Sequence, residues 1–291
     1  MEIPDGVKRV AVAMEAFHKA SLVHDDVEDN EAVRYGQPTV QTRYGGATAI
    51  NTGDYLVGLG YRLVAGEARA AGGGTLDPSC VADILAILSE AHLKLCRGQG
   101  AELLMSREGL CRRPPVSILE VYALKTAPAF YAALAAGMRM AGPLDCDVGL
   151  IGSFCRHLGV GYQVLDDLAD VEEEGAQEAP GQDVWECRPT VLQALAFEGG
   201  AGAHLARLFG GSRKAGREEL VRQVRRVYES SGALAKARRL AEKCRDRALA
   251  AAEEAPSSLG ELMRHMVGSV SYTHLRAHET PEHLVCRLLL E

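Results

Sequence analysis

Two short acidic runs of the form Asp-Asp-x-x-Asp are the residues of this sequence best suited to chemistry, and they begin at Asp25 and Asp166. Each run lies in an apolar stretch with helical spacing, where residues four apart share one face. Asp25 therefore shares a face with Asp29, and Asp166 with Asp170. Like charges at this spacing destabilise a helix, so the pattern indicates a compensating cation. Carboxylate oxygens suit Mg²⁺, which keeps several waters and is usually shared with substrate phosphates. The sequence thus predicts two helices that bind a diphosphate through Mg²⁺.

Helices must position these runs, and apolar residues recur at helical spacing through most of the chain. Ser117 with Glu120 predicts a capping box for one of the helices, and residues 174–187 are predicted to form a loop. No strand pattern competes, so the expected fold class is all-α: a single-domain antiparallel helical bundle around a central substrate cavity. The predicted helices are 7–29, 47–66, 79–105, 118–140, 147–173, 189–198, 216–231, 232–254 and 257–268.

Composition narrows the class of protein. Of the 291 residues 47% are hydrophobic and only 5% aromatic, which favours helices around a sizeable core. The net charge of −7, without a basic stripe, argues against nucleic acid as a partner. Eight cysteines without a C-x-x-C pair suit a reducing compartment, and no apolar run has the length of a transmembrane helix. With no secretory leader recognisable, the expected localisation is cytoplasmic.

Further motifs accompany the two acidic runs. In chain order they are His18 to His24, Arg34 to Thr39, Ala49 to Asp54, Gly98-Gln99-Gly100 with Glu102, Lys125-Thr126, and Gln163 before the second run. With these motifs, the chain from about residue 7 to residue 268 resembles the trans-type isoprenyl diphosphate synthases, the polyprenyl synthetase family.

The resemblance implies a head-to-tail prenyltransferase that condenses an allylic diphosphate with isopentenyl diphosphate. Loss of diphosphate gives an allylic cation, which the double bond of isopentenyl diphosphate attacks, with three Mg²⁺ ions as cofactors. It also implies a homodimer. Ala20 and Ser21, one helical turn before Asp25, are too small to block the growing prenyl chain. Phe17, about two turns before Asp25, is then the first side chain that could limit its length. We therefore expect a polyprenyl product of geranylgeranyl length or longer.

Residue roles follow from the same resemblance. The implied metal ligands are Asp25, Asp29, Asp166 and Asp170. The implied catalytic residues are Asp25, Asp26, Asp29, Lys125, Asp166, Asp167 and Asp170. The implied substrate-binding residues are His18 for isopentenyl diphosphate, together with Arg34, Tyr35, Lys125, Thr126, Gln163 and Arg188. Taken alone, Lys125 could extend its ammonium to solvent and Gln163 could satisfy a buried backbone group. Asp54 and Asp183 could be caps or turn residues, and they rank below the others.

The chain departs from the family pattern at three places. A Gly-Gly-Lys-x-x-Arg-Pro segment, usual upstream of the first run, is not in the sequence. Tyr35 replaces the second arginine of an Arg-Arg pair, and Cys187-Arg188 replaces Gly-Lys. We expect residues 1–268 to form a synthase-like domain whose first helices are missing, and a poor catalyst compared with its full-length parent. Residues 269–291 resemble translated sequencing-adapter read-through and are predicted to be a non-native tail.

Two alternatives remain open at this point. One is a non-catalytic or regulatory subunit of a heteromeric prenyl synthase, which the missing segment and Tyr35 favour. The other is a class I terpene cyclase, although the second motif of such enzymes usually mixes Asn or Asp, Ser and Glu.

Overall fold

The structure is a computed structural model that describes residues 3–68, 76–143, 148–172, 181–211 and 216–273. These residues form almost only helices, so the predicted all-α class is confirmed. The helices are α1 Asp5–Glu28, α2 Val40–Tyr44, α3 Gly46–Gly66, α4 Pro78–Arg107, α5 Pro115–Lys125, α6 Ala127–Ala141, α7 Val148–Val171, α8 Gln182–Glu186, α9 Val191–Glu198, α10 Gly202–Gly211, α11 Arg217–Ser230, α12 Ala233–Glu254 and α13 Ser257–Thr273; the strands are β1 Val33–Arg34 and β2 Gln37–Pro38.

The described residues fall into two compact units. The first unit comprises residues 3–91 and 130–143, and the second comprises residues 92–129 and 148–273. Helix α4 and helix α6 contribute residues to both units. The predicted domain bounds, 1–268 and 269–291, stay a prediction; α13 continues past residue 268 to Thr273, and residues 274–291 lie outside the described residues.

The first unit holds the first acidic run at the end of α1. Helix α1 packs against α3, and apolar side chains of both helices meet the first half of α4. Val10, Val64 and Ile84 are completely buried in this core. The apolar faces of three helices therefore fix where the last turn of α1 lies.

The second unit holds the second acidic run at the end of α7. Helix α7 packs along α12, while α5 and α9 complete its surroundings. Phe154 and Val164 of α7 are fully buried, and the shared core includes Ile118 and Leu192. Burial of one whole face of α7 sets the direction in which the other face presents its acidic residues.

A helix break at Thr126 was not predicted, and the single helix expected over 118–140 is two helices. Thr126 has φ −124° and ψ −46°, outside the helical region. A Cβ on Gly98 would lie 2.6 Å from the backbone nitrogen of Lys125, and one on Gly159 would lie 2.8 Å from that of Ala127. Glycines on two neighbouring helices therefore allow the broken segment to lie against their backbones.

The predicted capping box is wrong. Helix α5 begins at Pro115, after Pro114, and the Ser117 hydroxyl donates to the Pro114 carbonyl at 2.8 Å. Proline at the first helical position needs no capped N–H, because its nitrogen carries no hydrogen. The helix therefore starts without the reciprocal side-chain bonds that Ser117 and Glu120 would supply.

Other short elements also differ from the sequence prediction. Within the predicted loop, residues 182–186 form α8, and residues 173–180 lie outside the described residues. Helices α2 and α10 were not predicted, nor was the β1–β2 hairpin, in which Arg34 pairs with Gln37. Positive φ values of 52° at Tyr35 and 69° at Gly36 give this hairpin a type I′ turn. None of the described helices is long and apolar enough to cross a bilayer.

Candidate active site

The first acidic run occupies the carboxyl end of α1 in the first unit. Asp25 and Asp26 lie in the last turn, and Asp29 is the residue that ends the helix. No basic residue lies in that last turn. The negative end of the helix dipole adds to the repulsion among these carboxylates, because it opposes negative charge at a helix carboxyl end. The end of α1 is therefore suited to bind a cation.

Arg34 is held by the first acidic run. Its Nε donates to Asp26 Oδ1 at 2.6 Å, and Asp26 is only 4% exposed. Burial raises the pKa of Asp26, and the hydrogen bond and charge of Arg34 act against that rise. The pair orients a predicted diphosphate-binding residue beside predicted metal ligands.

Side-chain hydrogen bonds fix the segment that follows the run. The Gln41 amide donates to the Asp26 carbonyl at 2.5 Å and to the Glu31 carbonyl at 2.9 Å. The Thr39 hydroxyl donates to the same Glu31 carbonyl at 2.8 Å and also caps α2. Tyr35, at the tip of the hairpin, is 48% exposed. The hairpin thus carries Arg34 inward and Tyr35 outward.

The predicted product-length residues lie on different faces of α1. Ala20 is buried, whereas Ser21 is exposed on the face that also carries Asp25. The ring of Phe17 packs edge-to-face with Tyr61, with ring centroids 4.8 Å apart. His18, predicted to face isopentenyl diphosphate, is buried in the same helix. The roles of these residues stay predictions.

Asp167, the middle acid of the second run, is held by donors from two other helices. Its Oδ2 accepts hydrogen bonds from the Tyr122 hydroxyl at 2.6 Å and from the Val191 backbone N–H at 2.9 Å. Burial, and after it the charge of Asp183, raises the pKa of Asp167 well above its usual value. Tyr122 was missed from the sequence because a tyrosine on an apolar helix face is typical of a core residue.

Asp170 connects α7 to α8. Its Oδ1 accepts from the Gln182 N–H at 2.8 Å, and its Oδ2 accepts from the Asp183 N–H at 3.1 Å. Burial raises the pKa of Asp170, and the Gln182 N–H acts against this rise. Both oxygens of this predicted metal ligand thus already have backbone donors.

Asp166 differs from the other two acids because the charges of two cations act on it. Burial raises the pKa of Asp166, while the charges of Lys125 and Arg188 lower it. Glu102 raises it further. The second unit therefore brings together Asp166, Lys125 and Arg188, three residues that the sequence predicted to act at one site.

The two cations near Asp166 are paired with acids. Lys125 donates to Glu102, a residue of α4 that the sequence identified only as part of a motif. Arg188 Nη2 lies 2.6 Å from a Glu186 carboxylate oxygen, and its Nη1 lies 3.6 Å from Asp183 Oδ1. A dianionic ligand would compete with these carboxylates for the same N–H donors.

Two more predicted substrate-binding residues, Thr126 and Gln163, lie in the second unit. Thr126 is buried at the helix break next to Lys125, and Gln163 is half-buried on α7, one turn before Asp166 and Asp167. Their predicted contacts with substrate stay predictions.

Asp183 contributes more to this region than the sequence suggested. Burial, followed by the charge of Asp170, raises its pKa well above the usual value, and Arg188 acts against the rise. Its position in the first turn of α8, close before Arg188 in the chain, was the available signal. This signal was missed because residues 174–187 were predicted to form a loop, and the short helix within them was not recognised.

The carboxylates of the second unit could supply part of the coordination shell of a divalent cation, with other ligands filling the rest. Among the described residues, no three His, Cys, Asp or Glu side chains form a ready-made metal-binding group. After burial, the charge of Asp166 raises the pKa of Asp170, and the charges of Asp170 and Asp166 raise the pKa of Asp183, so added positive charge would relieve this repulsion. Oxygen donors with room for water and phosphate oxygens are the environment that Mg²⁺ prefers.

A family model described as polyprenyl synthetase matches residues 2–228. A short chain isoprenyl diphosphate synthase of Methanothermobacter thermautotrophicus is 30% identical over 237 residues, covering 79% of this chain and 68% of its own length. A geranylgeranyl diphosphate synthase of Methanosarcina mazei is 29% identical over 192 residues, covering 65% of this chain. The chain spans only 56% of the length of that second relative.

Solved structures show a similar fold. A geranylgeranyl pyrophosphate synthetase from Pyrococcus horikoshii matches with a TM-score of 0.76 at 23% identity, covering 90% of this chain and 78% of the other. A polyprenyl synthase from Caulobacter crescentus, complexed with calcium and isoprenyl diphosphate, matches with a TM-score of 0.72 at 24% identity, covering 91% and 81%. These matches support the all-α fold predicted from the sequence.

Proposed function

The chain belongs to the polyprenyl synthetase family, and from this premise we propose that it elongates an allylic diphosphate with isopentenyl diphosphate. The product is a polyprenyl diphosphate of geranylgeranyl length or longer, released together with diphosphate. The observation that carries this proposal for the chain itself is the grouping of Asp166 with Lys125 and Arg188 in the second unit. A carboxylate between two cations can share a divalent ion with a phosphate that the cations contact directly.

The reaction needs stabilisation of the leaving group. The bond between C1 of the allylic substrate and its diphosphate oxygen breaks, and the electron pair stays on the diphosphate. Lys125 and Arg188 donate hydrogen bonds to that growing negative charge, which is worth most where donors are preorganised. Mg²⁺, when bound, supplies further positive charge at the same oxygens. The double bond of isopentenyl diphosphate then attacks the allylic cation and forms the new carbon–carbon bond, which leaves a tertiary cation. This cation loses a proton to the released diphosphate, and a new double bond forms.

Protein contacts prepare the two cations for this exchange. Glu102 keeps the Lys125 ammonium in place, and Glu186 does the same for the Arg188 guanidinium. When the diphosphate binds, its oxygens replace those carboxylates as acceptors. Arg34, oriented by Asp26 in the first unit, is a further proposed diphosphate-binding residue.

Three finer features belong to the proposal as well. We infer three Mg²⁺ ions, held in part by Asp25, Asp29, Asp166 and Asp170. We also infer a homodimer in the cytoplasm. A calcium complex of the Caulobacter crescentus synthase supports divalent-cation binding in this fold. Light scattering of the purified chain tests the dimer, and a titration that counts bound Mg²⁺ per chain tests the number of ions.

The function is tested with Mg²⁺, farnesyl diphosphate and labelled isopentenyl diphosphate. We expect Mg²⁺-dependent transfer of label into a longer, apolar product, at a rate below that of a full-length relative. Lys125→Met should lower kcat/KM by about 100-fold, the usual effect of removing one preorganised donor. Lys243→Met is the matched control, since Lys243 is exposed on α12. If the chain gave no Mg²⁺-dependent product, or if both variants behaved alike, the proposed function would be wrong.

A further inference from the structure

Two hydrogen-bond donors, from helices α5 and α9, meet at Asp167 of α7. The Tyr122 hydroxyl of α5 and the Val191 N–H of α9 both donate to Asp167 Oδ2, at 2.6 and 2.9 Å. Val191 N also lies 3.1 Å from the Tyr122 hydroxyl oxygen. Tyr122 and Asp167 are 3% and 5% exposed, so water does not compete strongly for these bonds. The three groups form one buried cluster, referred to below as the Tyr122 anchor.

The Tyr122 anchor lies next to a helix end that carries the proposed site. Helix α7 ends at Val171, four residues after Asp167, and the last carbonyl groups of a helix have no partner within it, so bonds to other elements hold this end in place. Asp166 is the neighbour of Asp167, and both lie just before the last turn. Fixing the Asp167 carboxylate therefore fixes the direction of the Asp166 side chain.

We propose that Tyr122 is a positioning residue for the second acidic run, acting through Asp167. The Tyr122 hydroxyl holds Asp167, and Asp167 in turn keeps the Asp166 carboxylate near Lys125 and Arg188. Asp167 serves as this anchor and does not touch the metal or the substrate. This inference rests on the proposed function, because it assigns Asp166 to a Mg²⁺–diphosphate site.

A second attachment limits the size of the effect. The Asp170 carboxylate holds the same helix end to α8 through two backbone N–H groups. Loss of one of two attachments loosens the last turn without releasing it. Because small misplacements of a binding group weaken its action strongly, we expect a five- to tenfold change rather than a complete loss.

The test uses the full 291-residue chain, Mg²⁺ and an unreactive allylic thiodiphosphate, with binding followed by calorimetry. Tyr122→Phe keeps the buried ring but removes the hydroxyl, and it should raise the Mg²⁺ concentration at half-saturation five- to tenfold. Amide exchange at Val191 should become faster in the same variant, because its acceptor cluster has lost one member. Both measurements are independent of turnover.

Tyr228→Phe is the matched control. Tyr228 is equally buried, and its hydroxyl bonds to the Thr190 side chain instead of an acid of the run. It should lower the melting temperature about as much as Tyr122→Phe while shifting the Mg²⁺ midpoint less than twofold. An equal Mg²⁺ shift in both variants would show a general packing effect and overturn the positioning role.

Asparagine variants separate anchoring from ligation. The amide oxygen of Asp167→Asn can still accept from Tyr122 and Val191, so this variant should weaken Mg²⁺ binding less than Asp166→Asn does. The reverse order would overturn the assignment of Asp167 as an anchor. If the unmodified chain did not bind the ligand in a Mg²⁺-dependent way, the proposed function would be refuted and the positioning role with it. The outcomes above refute the positioning role alone, so the two failures can be told apart.

Discussion

Gly98 of α4 lies against the backbone of α5 at Leu124 and Lys125. A Cβ at residue 98 would lie 2.6 Å from the Lys125 backbone nitrogen and 2.7 Å from the Leu124 carbonyl carbon. Both distances are shorter than any ordinary contact, and backbone atoms cannot rotate away as a side chain can. Gly98→Ala therefore requires α4 and α5 to separate and moves Lys125 relative to Glu102.

The magnitude follows from two opposing effects. Overpacking a close contact costs about 1–3 kcal/mol. Replacing glycine by alanine inside a helix returns up to about 1 kcal/mol. We expect Gly98→Ala to lower the free energy of unfolding by about 1–2 kcal/mol. Gly100→Ala, on the same helix, has nothing within 4 Å of the added Cβ and should raise that free energy by about 0.5–1 kcal/mol.

The assay is thermal or urea unfolding of both variants and the unmodified chain in parallel, followed by the isopentenyl-transfer assay. A difference of about 2 kcal/mol corresponds to a gap of roughly 4–8 °C in melting temperature, with Gly98→Ala the lower. Gly98→Ala should also lose activity at a temperature where it is fully folded. If the two variants melted together, or if Gly98→Ala were the more stable, the close helix approach would not exist in solution.

Three further outcomes are expected. Ser21→Phe places an aromatic ring on the exposed face of α1, one turn before Asp25, and should shorten the main product by at least one isoprene unit. An unchanged product distribution on chromatography would show that Ser21 does not face the growing chain. Tyr35→Asn should raise the urea midpoint by an amount equivalent to about 0.5–1 kcal/mol, because Tyr35 has φ 52° and asparagine tolerates this conformation better; an equal or lower midpoint would count against the strained turn. Burial, and after it the charges of Arg247 and Arg156, lowers the pKa of His157 below its ordinary value of 6.5. The unfolded chain then binds a proton at higher pH than the folded one, so stability is lost as pH falls below 6.5, and His157→Gln should flatten that slope in unfolding curves.

Long helices with a strong apolar period were predictable from the sequence. The predicted helices 7–29, 47–66 and 147–173 agree within two residues with α1, α3 and α7, because each buries one continuous face. The break at Thr126 had a local signal that the prediction missed: Pro128, the second residue of α6, has no N–H to donate to the Leu124 carbonyl, so a helix cannot run through unbroken. The close approach of Gly98 and Gly159 to the broken segment could not be predicted, because these glycines are distant from it in sequence.

The candidate site was predictable to a similar extent. Asp166, Lys125 and Arg188 were identified from motifs, and the second unit brings them together. Two contacts around them were not predicted: Glu102, named only as part of a motif, pairs with Lys125 across 23 residues, and Tyr122 pairs with Asp167 across 45. Short-range spacing carries no information about such pairs. Asp183 was underrated for a related reason, because its helix α8 is too short to show a period.

Both acidic runs lie at the carboxyl ends of their helices, and this placement has a practical consequence for handling the protein. Each helix end adds its own partial negative charge to that of the carboxylates, so in a chelating buffer this repulsion would be compensated only by the neighbouring side chains and N–H groups. Preparations kept in EDTA should therefore lose shelf life and aggregate sooner than those kept in millimolar magnesium chloride. Crystallisation trials, accordingly, should begin with the divalent salt already present.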